Sequence, residues 1–249
     1  SHMSEAKTLD PQKYGEQVNV LTVLSYHKLQ DVNKLKEALE TLQKENPAAV
    51  SRVPDVIPAW LGLQAYGMKD LETADKYMTW ATQNDQLQNV KKVIWRNLAK
   101  VRLALKKYDR ALVASNNFLK VEDQPYRRAD GMLDKASILL GLGKYAEARK
   151  TAEEALALGV EGPLMASLKI VLGDISYAEK KFDEAAKHYG VTAELFVNDA
   201  ELKPKALFKA AEALDKAGRK SEASQYRARL QKEFPDWKQE GESLPPDAR

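Results

Sequence analysis

The sequence predicts an all-α chain built from a stack of short helical hairpins, and three observations predict it. Alanine occurs 33 times against 12 glycines and 10 prolines, which suits close-packed helices better than the many tight turns of a β-protein. Five short segments recur: Leu71-Glu-Thr-Ala74, Tyr108-Asp-Arg-Ala111, Tyr145-Ala-Glu-Ala148, Phe182-Asp-Glu-Ala185 and Lys220-Ser-Glu-Ala223, with their alanines 37, 37, 37 and 38 residues apart. Between these segments the apolar residues follow helical spacing.

Taken in order, the copies read as follows. The first is found from its end, because Leu42-Gln-Lys-Glu-Asn-Pro47 matches Leu230-Gln-Lys-Glu-Phe-Pro235 in the last copy. That register places Val32 and Leu35 in the bulky and small positions, with Leu35 39 residues before Ala74. In the third copy Trp95, Leu98, Ala99 and Leu103 mark one helix; after a lysine-bearing turn, Tyr108, Ala111, Leu112, Ser115 and Leu119 mark a second, closed by Asp123 and Pro125. The fifth copy repeats this with Val171, Leu172, Ile175 and Tyr177, then Phe182, Ala185, Ala186 and Tyr189. Each copy is a helix A, a turn and a helix B. Small residues stand inside helix A (Gly62, Ala99, Ala136, Gly173, Ala211) as well as in helix B. Glycine inside a helix costs about 1 kcal/mol relative to alanine, so Gly62 and Gly173 signal a steric demand.

These residues carry a resemblance. A small residue in helix A, a bulky residue opening helix B, a small one three later and a closing proline resemble the tetratricopeptide repeat, as found in bacterial proteins of that kind. The resemblance implies a right-handed α-solenoid of about six repeats, at 16–49, 55–88, 92–125, 129–162, 166–199 and 204–237. The family's aromatic positions in helix A are mostly replaced here; Trp95 matches, while Lys169 and Pro58 do not. Residues 1–3, Ser1-His2-Met3, read as the scar of a cleaved tag, residues 4–15 as a polar leader and residues 238–249, with Gly241, Pro245 and Pro246, as a disordered tail. The last copy, with Lys220 and Arg227 at positions apolar in its predecessors, reads as a polar end cap.

Composition excludes several classes of function. Lys and Arg number 39 and Asp and Glu 36, for a net charge of +3 on a chain that is 30% charged; this is too balanced for a dedicated polyphosphate binder. There is no cysteine, hence no disulfide, thiolate metal site or cysteine nucleophile. No run approaches 18 apolar residues. Outside the scar, histidine occurs only at His27 and His188, so neither a histidine metal site nor a histidine base is expected. No enzyme, metal or cofactor is expected. Gly141-Leu-Gly143-Lys144 resembles a phosphate-binding fragment over four residues but falls at a helix end.

Two further patterns bear on function. Lys69, Lys106-Lys107, Lys144, Lys180-Lys181 and Arg219-Lys220 all fall at A–B turns. They form either a basic ridge for nucleic acid or an anionic surface, or cations suited to helix C-termini. The resemblance also implies that the A helices line a concave groove for a peptide or helix of a partner protein. Its candidate contacts are Trp60, Leu63, Tyr66, Arg96, Asn97, Lys100, Asp130, Asp134, Ser137, Asp174 and Tyr177. This gives an apolar aromatic patch, a polar-basic strip and an acidic strip, complementary to an apolar anchor, an acidic stretch and a basic stretch. Trp60 is also read as packing between repeats, and Arg96 as bridging to Asp130 or Asp134. The acids at Asp130 and Asp134, with Ala59 and Leu63 beside Asn97, exclude a receptor for chaperone C-terminal carboxylates. The expectation is a non-catalytic protein-binding scaffold, periplasmic or membrane-anchored with its signal removed, or else cytoplasmic. An accessory region of a larger envelope complex and self-association through the first repeat remain open alternatives.

Overall fold

The 37-residue rhythm becomes a series of helix pairs in the computed structural model, which describes residues 11–83, 88–195 and 199–238. Among these residues there are twelve α-helices, one 3-10 turn and no strand. The chain divides into two units, Ser1–Val121 and Glu122–Arg249.

The first unit contains three hairpins. They are α1 (Pro11–Lys28) with α2 (Val32–Glu45), α3 (Val56–Gly67) with α4 (Leu71–Ala81), and α5 (Gln88–Ala104) with α6 (Tyr108–Val121); the 3-10 turn Pro47–Arg52 joins the first to the second. A core of Val23, Leu35, Leu39, Leu42, Val53, Ile57, Leu61 and Tyr77 runs through the first two hairpins. The second unit also has three: α7 (Pro125–Gly141) with α8 (Tyr145–Ala157), α9 (Gly162–Ala178) with α10 (Phe182–Leu195), and α11 (Leu202–Lys216) with α12 (Lys220–Glu233). Its core includes Ile170, Ala185, Tyr189, Ala210, Leu214 and Ala223. α12 buries only Ala223, where α10 buries six residues, so the final helix turns a largely polar face to water.

One turn geometry closes every hairpin. Two residues beyond the end of helix A stands a residue in the left-handed region: Gln30 (φ 55°), Lys69 (62°), Lys106 (56°), Gly143 (72°), Lys180 (62°) or Gly218 (80°). Its N–H and that of the next residue return to helix A, as when Lys69 N–H donates to Tyr66 O at 3.0 Å and Asp70 N–H to Ala65 O at 2.9 Å. This paired return satisfies carbonyls that the helix end would otherwise orphan. Four of the six turns place a non-glycine residue where glycine is favoured.

The small residues meet the steric demand that their positions suggested. Ala74, Ala111, Ala148, Ala185 and Ala223 are all fully buried. Gly62 and Gly173, however, make room for residues four positions further along helix B. A Cβ on Gly62 would lie 2.7 Å from Met78 Cγ and 2.9 Å from Met78 N; one on Gly173 would lie 2.4 Å from Tyr189 Cε1.

At the ends, α1 (Pro11–Lys28) overlaps the stretch read as a leader. The tag scar and residues 239–249 of the expected tail lie outside the described residues. After α12 the chain lays Trp237 against Phe208, ring centroids 5.6 Å apart. Lys203, nearly fully buried, pairs with Glu233 and lies 5.9 Å over the Phe234 ring.

Candidate functional site: the helix-A faces

In the second unit the site begins with Gly173. Without a side chain there, the Tyr189 ring of α10 fits against α9 and is buried to all but 2%. A buried phenol is costly unless its hydroxyl finds a partner. The next residue on α9 supplies it: Tyr189 Oη donates to Asp174 Oδ1 at 2.6 Å. Lys209 Nζ of α11 donates to the same oxygen at 2.8 Å and lies 5.7 Å over the Tyr189 ring. Burial, then the adjacent Asp174 carboxylate, push ionisation of Tyr189 far above the ordinary tyrosine value, so it stays a hydrogen-bond donor. Tyr177, one turn from Asp174, is held edge-on by Phe182 at 5.2 Å. Leu140, Asp174, Tyr177, Tyr189, Lys209 and Glu212 line a cleft of about 450 Å³.

The structure thus brings Asp174 and Tyr177 together. Asp130, Asp134 and Ser137 stand partly buried on α7 and do not line that cleft. Ser137 Oγ donates to Leu133 O of its own helix at 3.1 Å. Tyr189 was missed by sequence reasoning because it belongs to helix B. The glycine opposite it was the available signal.

In the first unit the helix-A face of α3 is apolar. Trp60 is partly buried against the core and meets His27 of α1 edge-on at 5.5 Å. Leu63 and Tyr66 are half-buried on the same helix. The 39-residue step places Leu21 and Leu24 of α1 in register with Trp60 and Leu63. They are 47% and 37% exposed, and Val56 and Val93 are 43% and 50% exposed. On α5, Asn97 donates to Val93 O at 2.9 Å, the Arg96 guanidinium lies 6.0 Å over the Phe118 ring, and Lys100 is partly buried. Leu21 and Leu24 were absent from the expected contacts because the first copy matches the repeat most weakly.

Away from these faces, ion networks join consecutive hairpins. Arg102 donates to Asp75 at 2.7 Å, to Thr79 Oγ1 at 2.7 Å and to the Arg110 carbonyl at 3.2 Å. Lys107 reaches Asp75 at 2.9 Å and Glu72 at 2.7 Å. Burial alone would raise Asp75, but hydrogen bonds from Arg102 and Lys107 outweigh it and hold the carboxyl below its usual value. In the second unit Arg149 reaches Glu179 at 2.6 Å, Glu184 at 2.9 Å and Ser176 at 3.2 Å. Several cations of the A–B turns are therefore engaged with acids: Lys107, Lys144, Lys181 and Arg219 all sit in ion pairs.

Among the described residues no group of three His, Asp or Glu side chains stands placed to hold a metal ion. No helix there is long and apolar enough to cross a membrane.

Comparison with known proteins agrees with this architecture. No curated protein matches the sequence. Among solved structures, the apo form of RapI superposes with a TM-score of 0.61 at 16% identity, covering 94% of this chain and 70% of its own. A Rap protein complexed with Competence and Sporulation Factor gives 0.61 at 16% identity, covering 92% and 67%. A tetratricopeptide repeat protein from Parabacteroides merdae gives 0.60 at 14% identity, covering 88% and 79%. Residues 133–196 match the family profile described as tetratricopeptide repeat, and in fold the described chain is similar to proteins built of that repeat.

Proposed function

We propose that the chain is a non-catalytic scaffold that holds a segment of a partner protein on its helix-A faces. One observation carries this reading. Leu21, Leu24, Val56 and Val93 are exposed large apolar residues that share the helix-A register with Trp60, Leu63 and Tyr66. Exposed apolar side chains gathered on one face mark an interaction surface. The partner segment brings an apolar anchor for this patch and an acidic stretch for Arg96, Asn97 and Lys100. A preformed face limits the ordering cost to the partner. A Rap protein of similar fold was solved with Competence and Sporulation Factor, which supports the class of activity. The pairing of Lys107, Lys144, Lys181 and Arg219 with acids speaks against a basic ridge dedicated to phosphates.

The test is capture of partners by the wild type, by Leu21→Glu/Leu24→Glu and by Arg96→Glu/Lys100→Glu at two salt concentrations. A protein captured by the wild type and lost with both variants is the expected result. Partners retained by both variants would remove the helix-A faces as the binding surface. Binding that collapses with salt in all three proteins would favour an anionic ligand instead.

A further inference from the structure

We infer that the second unit carries a subsite for an aromatic side chain with a carboxylate beside it, in the cleft of about 430 Å³ lined by Glu201, Lys205, Phe208, Lys209, Trp237 and Lys238. This rests on the reading that a protein segment lies along the helix-A faces, and it names the chemistry of one anchor.

The aromatic wall is built in advance. Beyond α12, Phe234 packs against Ala193, Ala206 and Leu207. Lys203, buried to all but 4%, pairs with Glu233 at the end of α12. Trp237 N–H donates to Phe234 O at 3.1 Å, and the Trp237 ring meets Phe208 of α11 at 5.6 Å, tilted by 44°. Both rings are only partly buried. Because they are tilted and not stacked, neither covers the face of the other, and a third ring can meet them edge-on or offset. The volume lies toward the lower end of the range for ligand clefts, about 300–1,000 Å³, which suits one or two side chains and not a helix.

The charges add a preference. Lys209 is already neutralised by Asp174 at 2.8 Å. Lys205 and Lys238 are exposed, and among the described residues neither they nor Glu201 sits in an ion pair. The neighbouring acids Asp199 and Asp236 do not line the cleft; Asp199 takes the N–H groups of Glu201 and Leu202 at 2.9 and 2.7 Å. Two ammonium groups against one carboxylate leave a surplus of one positive charge, which a single carboxylate of the ligand balances and a polyphosphate would overshoot. Lys205 holds on α11 the place of the exposed Val56 and Val93 on α3 and α5. Where those valines ask only for an apolar contact, this hairpin asks for a ring and an acid together.

The test titrates N-acetyl-Phe-Glu-amide, whose only carboxylate is the glutamate side chain, into the full ¹⁵N-labelled chain, beside its Phe-Gln and Ala-Glu counterparts and ADP. The chain has four tryptophans, so its indole N–H signals are few, and Trp237→Phe identifies the one in the cleft. Phe-Glu should shift that signal and the backbone amides of residues 205–209. Phe-Gln should bind about three- to five-fold more weakly, the scale of one exposed ion pair, and Ala-Glu should leave these signals unmoved. Lys205→Gln should narrow the gap between Phe-Glu and Phe-Gln, and Trp237→Ala should abolish the amide shifts; thermal melts establish that both fold, and the exposed Lys205 keeps the test open if Trp237→Ala does not. Equal responses to Phe-Glu and Phe-Gln, an Ala-Glu response matching that of Phe-Glu, a stronger response to ADP, or no shift at these signals would each overturn the subsite, even if partner capture is lost in Arg96→Glu/Lys100→Glu. Shifts that need both the ring and the carboxylate uphold it whether or not that capture responds.

Discussion

Gly62, Leu63 and Met78 in the first unit correspond to Gly173, Asp174 and Tyr189 in the second, each 111 residues on, or three steps of 37. The backbone problem is the same in both: helix A loses a Cβ so that a large helix-B side chain can pass. The chemistry is opposite. Met78 has no strong polar atom to satisfy, and the neighbouring Leu63 keeps the face apolar. Tyr189 brings a hydroxyl into the same buried place, and a carboxylate stands where Leu63 stood. The substitutions are coupled, because a buried phenol without an acceptor is costly. A second pair of positions behaves alike. Asp75 and Arg149, 74 residues apart, each follow the small residue of helix B and reach the next hairpin with opposite charge. The frame of the repeat is thus set by volume, while polarity is free to differ from unit to unit.

The largest way to break this correspondence is at the hairpin junctions. Arg102→Met leaves Asp75, whose side chain is 9% exposed, with Lys107 as its remaining cation and should cost about 2–3 kcal/mol in urea melts. Arg149→Met, from a side chain 21% exposed, should cost clearly less, because water can take over its hydrogen bonds. Equal losses would show that the two junctions are energetically alike. The Asp75 carboxyl is held below its ordinary value of 3.8. Its contribution is therefore present above that pH and lost as pH falls through the folded-state value. Asp75→Asn should flatten the acid limb of the stability curve.

The glycines come next. Gly62→Ala and Gly173→Ala should each cost about 1–3 kcal/mol through overpacking. Their rescue should differ. Trimming Tyr189 to alanine removes what the Gly173→Ala methyl meets, whereas trimming Met78 leaves its backbone N, 2.9 Å from a Cβ at 62. Double-mutant cycles read by thermal melts check this: a positive coupling at 173/189 larger than at 62/78.

The smallest effects separate two tyrosines. Tyr189→Phe should cost about 1 kcal/mol, the net size of a hydrogen bond. Tyr77 is fully buried, and its hydroxyl has no hydrogen-bond partner among the described residues. Tyr77→Phe should be neutral or slightly stabilising, because the hydroxyl it removes makes no bond. Equal costs at both sites would discard the role given to Asp174.

Helices, hairpin turns and the steric demand at Gly62 and Gly173 were legible in the sequence, since each depends on residue size recurring at fixed spacing. Asp174 and Tyr177 were placed on helix A by the same rhythm. What was not legible were contacts that join different elements. Tyr189 reads as an ordinary core aromatic of helix B, and only the gap at Gly173 brings its hydroxyl to the helix-A face. Arg102 and Asp75 lie 27 residues apart on different hairpins and look, one at a time, like surface charges. Leu21 and Leu24 required the 39-residue step of the weakest copy to be carried back to α1.

The opposed charges of Asp75 and Arg149 have a consequence for assembly. Hairpins of similar sequence can dock out of order while a repeat protein folds, and such mispairing is a characteristic failure of these chains. Here a skipped partner meets the wrong sign. If α4 sat where α8 belongs, Asp75 would oppose Glu179 and Glu184; if α8 took the place of α4, Arg149 would oppose Arg102 and Lys107. Like charges brought together across a seam are disfavoured. The junctions at Asp75 and Arg149 act as keyed connectors, told apart by which side of the seam is acidic.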